Sequence, residues 1–319
     1  MSRKFQHKKF KGRDISKLVH PSEYEGIPVV KGRVVQIDGD FLAYMTSYDP
    51  SKKLSEMQHN TDAMIERLRS QSGSESVCIH LTADDSDKGN RYNIAMQREY
   101  QGNRKDKEKP KHLDVMRKWL EKERGAIMHH DLEADDGMSM NQYADMENSC
   151  IATKDKDLRM VPGLQIDWTT GALNDSDEWG FISIKEKVQK NKQVTKKLIG
   201  RGWKFFWAQL LMGDTADNIK GLPWCIHDIT EGKAKRIGPA YAYAIMQPMK
   251  NNREAWTTVQ KLFKRAGEHE AFKDYRDESV ISWKAALLSE MKLLWMRRTN
   301  DENDVMTWLK ETLGAESGA

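Results

Sequence analysis

Four short apolar runs in this chain each lead into acid. Val34-Val35-Gln36-Ile37 ends at Asp38, and Val77-Cys78-Ile79-His80-Leu81 ends near Asp84. Ile127-Met128 precedes Glu133, and Cys150-Ile151-Ala152 runs into Asp155 and Asp157. Runs this short with β-branched residues read as strands. Helical patterns lie between them: Leu54, Met57, Met64, Ile65 and Leu68 share one face, as do Leu113, Met116 and Leu120. Strands alternating with helices specify an α/β fold, a mostly parallel sheet flanked by helices on both faces. Such sheets bind ligands at the carboxyl ends of their strands. In this chain those ends collect carboxylates.

The remainder divides by character. Residues 1–30 form a basic tail, 31–200 the α/β domain, and 201–319 a helical region. The helical region opens with the apolar Trp203–Met212 helix and then reads Gly213-Asp214-Thr215-Ala216-Asp217-Asn218. At 319 residues with 38% hydrophobic and 31% charged residues, the chain reads as a globular protein, without a run suited to a membrane helix. Three scattered cysteines make neither a zinc spacing nor a disulfide framework, and they fit a reducing cytoplasm. The net charge of +4 is unevenly spread. Lys88–Arg124 holds 12 Lys/Arg against 6 acids, and Lys185–Arg201 holds 7 against one Glu. The second of these segments shows no clear apolar face and reads as a basic loop. Basic stretches beside acidic clusters suit a protein that holds phosphates.

The acids also come at informative spacings. Glu133 and Asp136 are three apart, which on a helix puts them on one face. Asp155 and Asp157 are two apart and point the same way in an extended segment. Asp214 and Asp217 repeat the spacing of three. Any one of these could be a cap or a turn residue. Together, converging carboxylates raise one another's pKa unless a cation neutralises them. A site with oxygen ligands and no Cys or His favours Mg²⁺ or Mn²⁺ over zinc.

From Val34 to Ile245 these residues resemble the 5′→3′ exonuclease and flap endonuclease family, which includes phage 5′ exonucleases and the 5′ nuclease domain of bacterial DNA polymerase I. The resemblance rests on five motifs in the family's order. They are Val35-Gln36-Ile37-Asp38-Gly39; Arg91-Tyr92-Asn93 followed by Glu99-Tyr100-Gln101-Gly102-Asn103-Arg104; Glu133-Ala134-Asp135-Asp136; Thr153-Lys154-Asp155-Lys156-Asp157; and Gly213-Asp214-Thr215-Ala216-Asp217-Asn218-Ile219-Lys220-Gly221. It implies a PIN-like 5′ nuclease fold with a helix-hairpin-helix element in the C-terminal region. It also implies a metal-dependent 5′→3′ exonuclease with flap endonuclease and RNA-primer-removing activity, acting on DNA or RNA/DNA with 5′ ends or flaps. The setting implied is DNA replication by a phage-encoded monomer in the host cytoplasm.

The resemblance also implies roles. Asp38, Asp84, Glu133 and Asp135 would form a first Mg²⁺ or Mn²⁺ site, and Asp136, Asp155, Asp157, Asp214 and Asp217 would form or support a second. Two ions about 4 Å apart stabilise the attacking and leaving oxygens of an in-line displacement. Arg91 and Arg104 would meet the phosphate, and Tyr100 would stack on a base. Gly221 and Gly238 of the hairpin would meet the nucleic-acid backbone, with a monovalent cation.

This chain departs from the family pattern at three places. Asp84 competes with the adjacent Asp85 for one ligand position. Gln101 stands where the family has a lysine, with Lys105 or Arg98 as candidate substitutes. The segment from Trp224 to Arg236 interrupts the hairpin, and Lys233, Lys235 and Arg236 at its end are candidate phosphate contacts. Two other readings remain: a PIN-type ribonuclease, and a non-catalytic nucleic-acid-binding protein of the same fold.

Overall fold

The computed structural model describes residues 27–104, 108–189, 193–222 and 237–314, with the strand residues Lys9–Phe10 (β1) and Arg13–Asp14 (β2) ahead of them. Lys105, Lys233, Lys235, Arg236 and most of the basic tail lie outside the described residues. So does most of the expected hairpin, between Gly221 and Gly238.

The centre is a six-stranded sheet built from β3 (Val30–Asp38), β4 (Ser74–Thr82), β5 (Ile127–His129), β6 (Ser149–Thr153), β7 (Leu164–Asp167) and β8 (Leu173–Asn174). Its order is β5-β4-β3-β6-β7-β8, parallel throughout except at β8. The chain leaves β3 toward β4 and β5, then returns to add β6 on the other side. This reversal beside β3 makes the crevice at the strand ends. The register pairs Ile37 with Ile79 and with Ala152, so β3, β4 and β6 all reach their acidic ends at one level.

The pleat sorts the side chains onto two faces. Val35, Ile37, Leu81, Cys150 and Ala152 pack under α1 (Gly39–Thr46), α2 (Leu54–Ser72) and α4 (Leu113–Arg124). Both long helices of this layer end on glycines at φ 63, Gly73 and Gly125, a conformation that suits residues without a Cβ. Ile151 faces the opposite way, with Met138 of α5 (Ala134–Ala144). Gly137 lets α5 lie this close, because a Cβ there would come within 2.3 Å of the His129 ring.

The second layer continues into the helical region. After the short helix α3 (Arg91–Ile94) and the sheet come a hairpin, β9 (Phe181–Val188) and β10 (Val194–Arg201), and then α6 (Gly202–Met212). The basic segment expected to be a loop is therefore strand, paired from Arg201↔Phe181 to Val194↔Val188. Ile182 and Leu198 are buried at its base, and Lys185, Lys187, Lys196 and Lys197 farther along the strands are exposed. The chain ends with α7 (Pro239–Met246), α8 (Asn252–His269), a short pair β11 (Phe272–Lys273) and β12 (Val280–Ile281), α9 (Trp283–Leu294) and α10 (Asp304–Leu313). Trp308 of α10 has ring centroids at 4.4 Å from Trp295, 5.4 Å from Trp203, 5.6 Å from Phe206 and 5.7 Å from Trp207. Each such pair adds about 0.5–1.5 kcal/mol beyond burial. The cluster holds α6 in place, and α6 delivers the Gly213–Gly221 loop to the strand ends. Among the described residues no helix is long and apolar enough to cross a membrane.

Candidate active site

An open cleft of about 550 Å³ lies at the carboxyl ends of β3, β4 and β6. It is lined by Asp38, Asp40, Asp84, Glu133, Asp135, Asp155, Asp157 and Asp217, with Lys88, Arg104, Lys109, Arg117 and Lys154 among them.

Local structure explains the placement of each acid. Asp38 ends β3 and caps α1, its Oδ1 accepting from Phe41 N at 2.8 Å and its Oδ2 from Thr153 Oγ1 at 3.3 Å. Burial, and then the neighbouring Asp40 and Asp155, push its carboxyl up to about 7. Glu133 and Asp135 open α5. Burial, followed by Asp38 and Asp155, drives Asp135 well above the usual carboxylate range. Asp155 follows β6 and accepts from Asp157 N at 2.8 Å, and burial raises its carboxyl as well. Asp157 is raised by burial and then by Asp155.

Asp214 and Asp217 come from the loop after α6. Asp214 and Ile219 exchange backbone bonds of 2.9 and 2.7 Å, closing a tight loop. A Cβ on Gly221 would lie 2.2 Å from Gly213 N, so the closure requires a glycine there. Oxygens of Asp157, Asp214 and Asp217 lie within 4.8 Å of one another. Lys156 stands over this trio, its Nζ 3.0 Å from Asp157 and 2.8 Å from Asp214. Although burial opposes it, this lysine holds Asp214 below the usual carboxylate range.

Of the two adjacent acids after β4, Asp84 lines the cleft. Asp85 turns outward to His130 at 3.1 Å.

Four of the expected site residues are engaged within the protein. Arg91, expected to meet a phosphate, is 1% exposed, and its guanidinium is taken up by Asp136 and by the carbonyls of Lys88, Leu293 and Trp295. Asp136, expected to support a metal, is instead the partner of Arg91 in this structure. It lies behind the cleft, wholly buried, accepting from Arg91, from Arg297 N at 3.2 Å and from Glu133 N at 3.3 Å. Burial alone would raise it, but Arg91 holds it below the usual range. Tyr100, expected to stack on a base, lines the cleft but is almost wholly enclosed. It is 4% exposed, and its hydroxyl donates to Glu133 Oε2 at 2.9 Å. Gly221 is buried, and its N–H donates to Glu290 Oε2 at 2.7 Å, which leaves no donor for a phosphate.

The other candidates fall into place more simply. Arg104 lines the cleft, its Nη2 2.5 Å from Asp217 Oδ1. Arg98 is exposed and outside the cleft lining, and Gly238 begins α7 at a half-buried position.

Sequence reasoning missed Asp40, Lys88, Tyr92, Arg117 and Lys156. Asp40 accepts from Thr82 N at 3.0 Å and pairs with Arg117 from α4. Its position two residues after Asp38 was a signal. Nothing local marked Arg117, which arrives from a distant helix. Tyr92 supplies an exposed ring on the cleft wall, edge-on to Tyr100 at 5.9 Å.

No family model matches this chain, and no curated protein matches it. Solved structures do. The D15 protein of T5, co-crystallised with metal ions, is 15% identical over 88% of this chain and 92% of its own, with a TM-score of 0.50. The bacteriophage T5 D15 flap endonuclease, in a pseudo-enzyme–product complex with DNA and metal ions, is 15% identical over 88% and 98%, with a TM-score of 0.53. The chain has the mixed α/β fold of these T5 proteins, with its mainly parallel sheet and flanking helices.

Proposed function

We propose that this chain, which shares the fold of the T5 flap endonuclease, is a divalent-metal-dependent 5′ nuclease hydrolysing phosphodiester bonds of DNA. The observation that carries the reading is the convergence of Asp38, Glu133, Asp135, Asp155, Asp157 and Asp217 on one open cleft with cations around it. The donors are carboxylate oxygens, which suits a hard divalent ion, and burial and then neighbouring carboxylates push several of these carboxyls up. Asp38, Asp84, Glu133 and Asp135 would hold one ion; Asp155, Asp157, Asp214 and Asp217 would hold a second. Bound Mg²⁺ or Mn²⁺ supplies a more acidic water and charge stabilisation at the phosphate.

The chain's own residues do the rest. Tyr100 orients Glu133, and Thr153 orients Asp38. Arg104 and Lys109 line the cleft wall and add positive charge to it. In hydrolysis the water oxygen bonds to phosphorus, one P–O bond breaks, and the water's proton balances the charge on the leaving oxygen. The T5 relative was captured with DNA and metal ions, which supports DNA as the substrate. Action on flaps, 5′→3′ exonuclease action and removal of RNA primers during phage replication, by a cytoplasmic monomer, belong to the same proposal.

The test compares a 5′-ended duplex, a 5′-flap duplex and single-stranded RNA, with Mg²⁺, Mn²⁺ or EDTA. The expected result is cutting of both DNA substrates with either metal and none in EDTA. Full cleavage in EDTA would refute the reading. Cleavage of the RNA alone would assign a PIN-type ribonuclease, and DNA binding without cutting would assign a non-catalytic binder.

A further inference from the structure

Three cations in and beside the cleft are closely paired to carboxylates. Arg104 lies 2.5 Å from Asp217, Lys156 lies 2.8 Å from Asp214, and Arg117 is bound to Asp40. Lys88 is held differently. Its Nζ donates to a neutral group, Gln101 Oε1, and stands 3.6 Å from Glu133 Oε1. The exposed Tyr92 ring lies beneath it, with the centroid 5.7 Å away.

We propose that Lys88 is the phosphate-contacting cation of this site, held ready by Gln101 and moving onto a non-bridging oxygen of the scissile phosphodiester when substrate binds. The proposal rests on the nuclease reading above. Leaving a neutral amide costs an ammonium far less than leaving a close carboxylate. Arg91 Nη1, 3.4 Å from Glu133 Oε2, also weakens the hold of that carboxylate on Lys88.

The backbone around Lys88 shows the same purpose. Among the described residues, five non-glycines have positive φ, and four of them, Lys88 (55°), Asn90 (64°), Gln101 (54°) and Asn218 (60°), belong to the loops beside this cleft. Left-handed φ is unfavourable for an L-residue and persists only where the surroundings over-determine it. Lys88 N donates to Ser86 Oγ at 3.1 Å, and Lys88 O accepts from Arg91 at 3.0 Å. Gly89 O accepts from Arg297 Nη2 at 2.6 Å. The Gln101 side is pinned likewise: its N–H donates to Asp217 O at 2.9 Å and its Nε2 to Asp217 Oδ1 at 2.8 Å. Two strained residues from separate loops thus meet through their side chains. The buried Arg91 anchors the first of them.

The decisive variant is Lys88→Gly. Glycine adopts φ 55° without strain, so the variant should fold with an unchanged or higher Tm. With the ammonium gone, the single-turnover rate on a 5′-ended duplex in Mg²⁺ should fall about 10²-fold, the usual loss for one donor that acts on developing charge. DNA affinity in Ca²⁺ should stay within about threefold. Adding Gln101→Lys to Lys88→Gly restores a cation beside Glu133 and should recover at least about tenfold of the rate. A Lys88→Gly rate equal to wild type overturns the proposal. A rate loss matched by an equal loss of affinity, a lower Tm accompanying the lost rate, or failure of Gln101→Lys to recover rate also overturns it. If the wild-type chain cuts no DNA in Mg²⁺, it is the nuclease reading that fails.

Discussion

Arg91 Nη1 lies 2.6 Å from Asp136 Oδ2, and Arg91 Nη2 lies 2.8 Å from Asp136 Oδ1, a two-pronged pair closed off from solvent. It joins the short helix beside the cleft to the start of α5, and the guanidinium also donates to the carbonyls of Lys88, Leu293 and Trp295. Removing one partner leaves the other charged and buried. Arg91→Ala should therefore destabilise the protein by about 3–5 kcal/mol, measured by urea unfolding. A variant of wild-type stability that merely binds DNA less well would return Arg91 to the substrate.

Asp155 sits between two roles, accepting from Asp157 N and lining the cleft. Asp155→Asn retains an oxygen for that bond and removes one charge. Single-turnover cleavage in Mg²⁺ should fall by about 10³, with DNA affinity in Ca²⁺ at or above wild type. Wild-type cleavage by this variant would move the proposed second metal elsewhere, whereas a loss of DNA affinity would mark a structural residue.

The two tyrosines of the cleft should separate. Tyr92→Ala removes an exposed ring and should weaken binding of single-stranded DNA by about 1–3 kcal/mol, the range for a stacked base. Tyr100→Phe removes the hydroxyl that orients Glu133 and should lower the cleavage rate while sparing affinity. The opposite pattern, from fluorescence anisotropy and quenched-flow rates, would exchange the two assignments.

Glu290 is buried against the Gly213–Gly221 loop, accepting from Gly221 N at 2.7 Å and Gln97 Nε2 at 2.8 Å. Burial outweighs those bonds and raises its carboxyl from 4.5 to about 7. The folded state holds this proton more tightly than the unfolded chain, so the contribution is fully present below about pH 4.5 and is lost as pH rises through about 7. Glu290→Gln keeps the shape without the titration. Stability of wild type should fall relative to this variant between pH 5 and about 8, by a few kcal/mol on the order expected for such a shift. Parallel stability curves for the two proteins would remove Glu290 as the source.

The β9–β10 hairpin sets Lys185 opposite Lys197, with Lys187 on the same face. Like charges directly opposite are unfavourable without an anion between or above them. Replacing Lys185 and Lys187 by Gln should lessen the slope of log affinity against log salt by up to about 2, since each phosphate contact contributes roughly 0.9. An unchanged slope would place the hairpin away from the DNA.

Much of this architecture was legible in advance because it depends on short-range patterns. Strand runs ending at Asp38, near Asp84 and before Asp155 predict both a parallel sheet and an acidic edge, since a strand's end goes where its direction takes it. The E-A-D-D and G-D-x-x-D-N segments carry their own helix start and loop closure. The hairpin was hidden because only its base is buried, at Ile182 and Leu198, while the strands beyond it are exposed and rich in lysine.

The sequence by itself determined the fold class and brought most of the carboxylates to the end of the sheet where the cleft lies. It did not decide which charged groups face that cleft and which satisfy each other. Arg91 and Asp136 are 45 residues apart, Tyr100 and Glu133 are 33 apart, and Arg117 and Asp40 are 77 apart. Spacing along the chain carries no information about such pairs. Desolvation makes the choice: a charge enclosed by packing must take the nearest opposite charge, and only the tertiary structure states which one that is. The same enclosure buries Arg91, Asp136, Tyr100 and Gly221, and it leaves Lys88 and Tyr92 standing in the cleft.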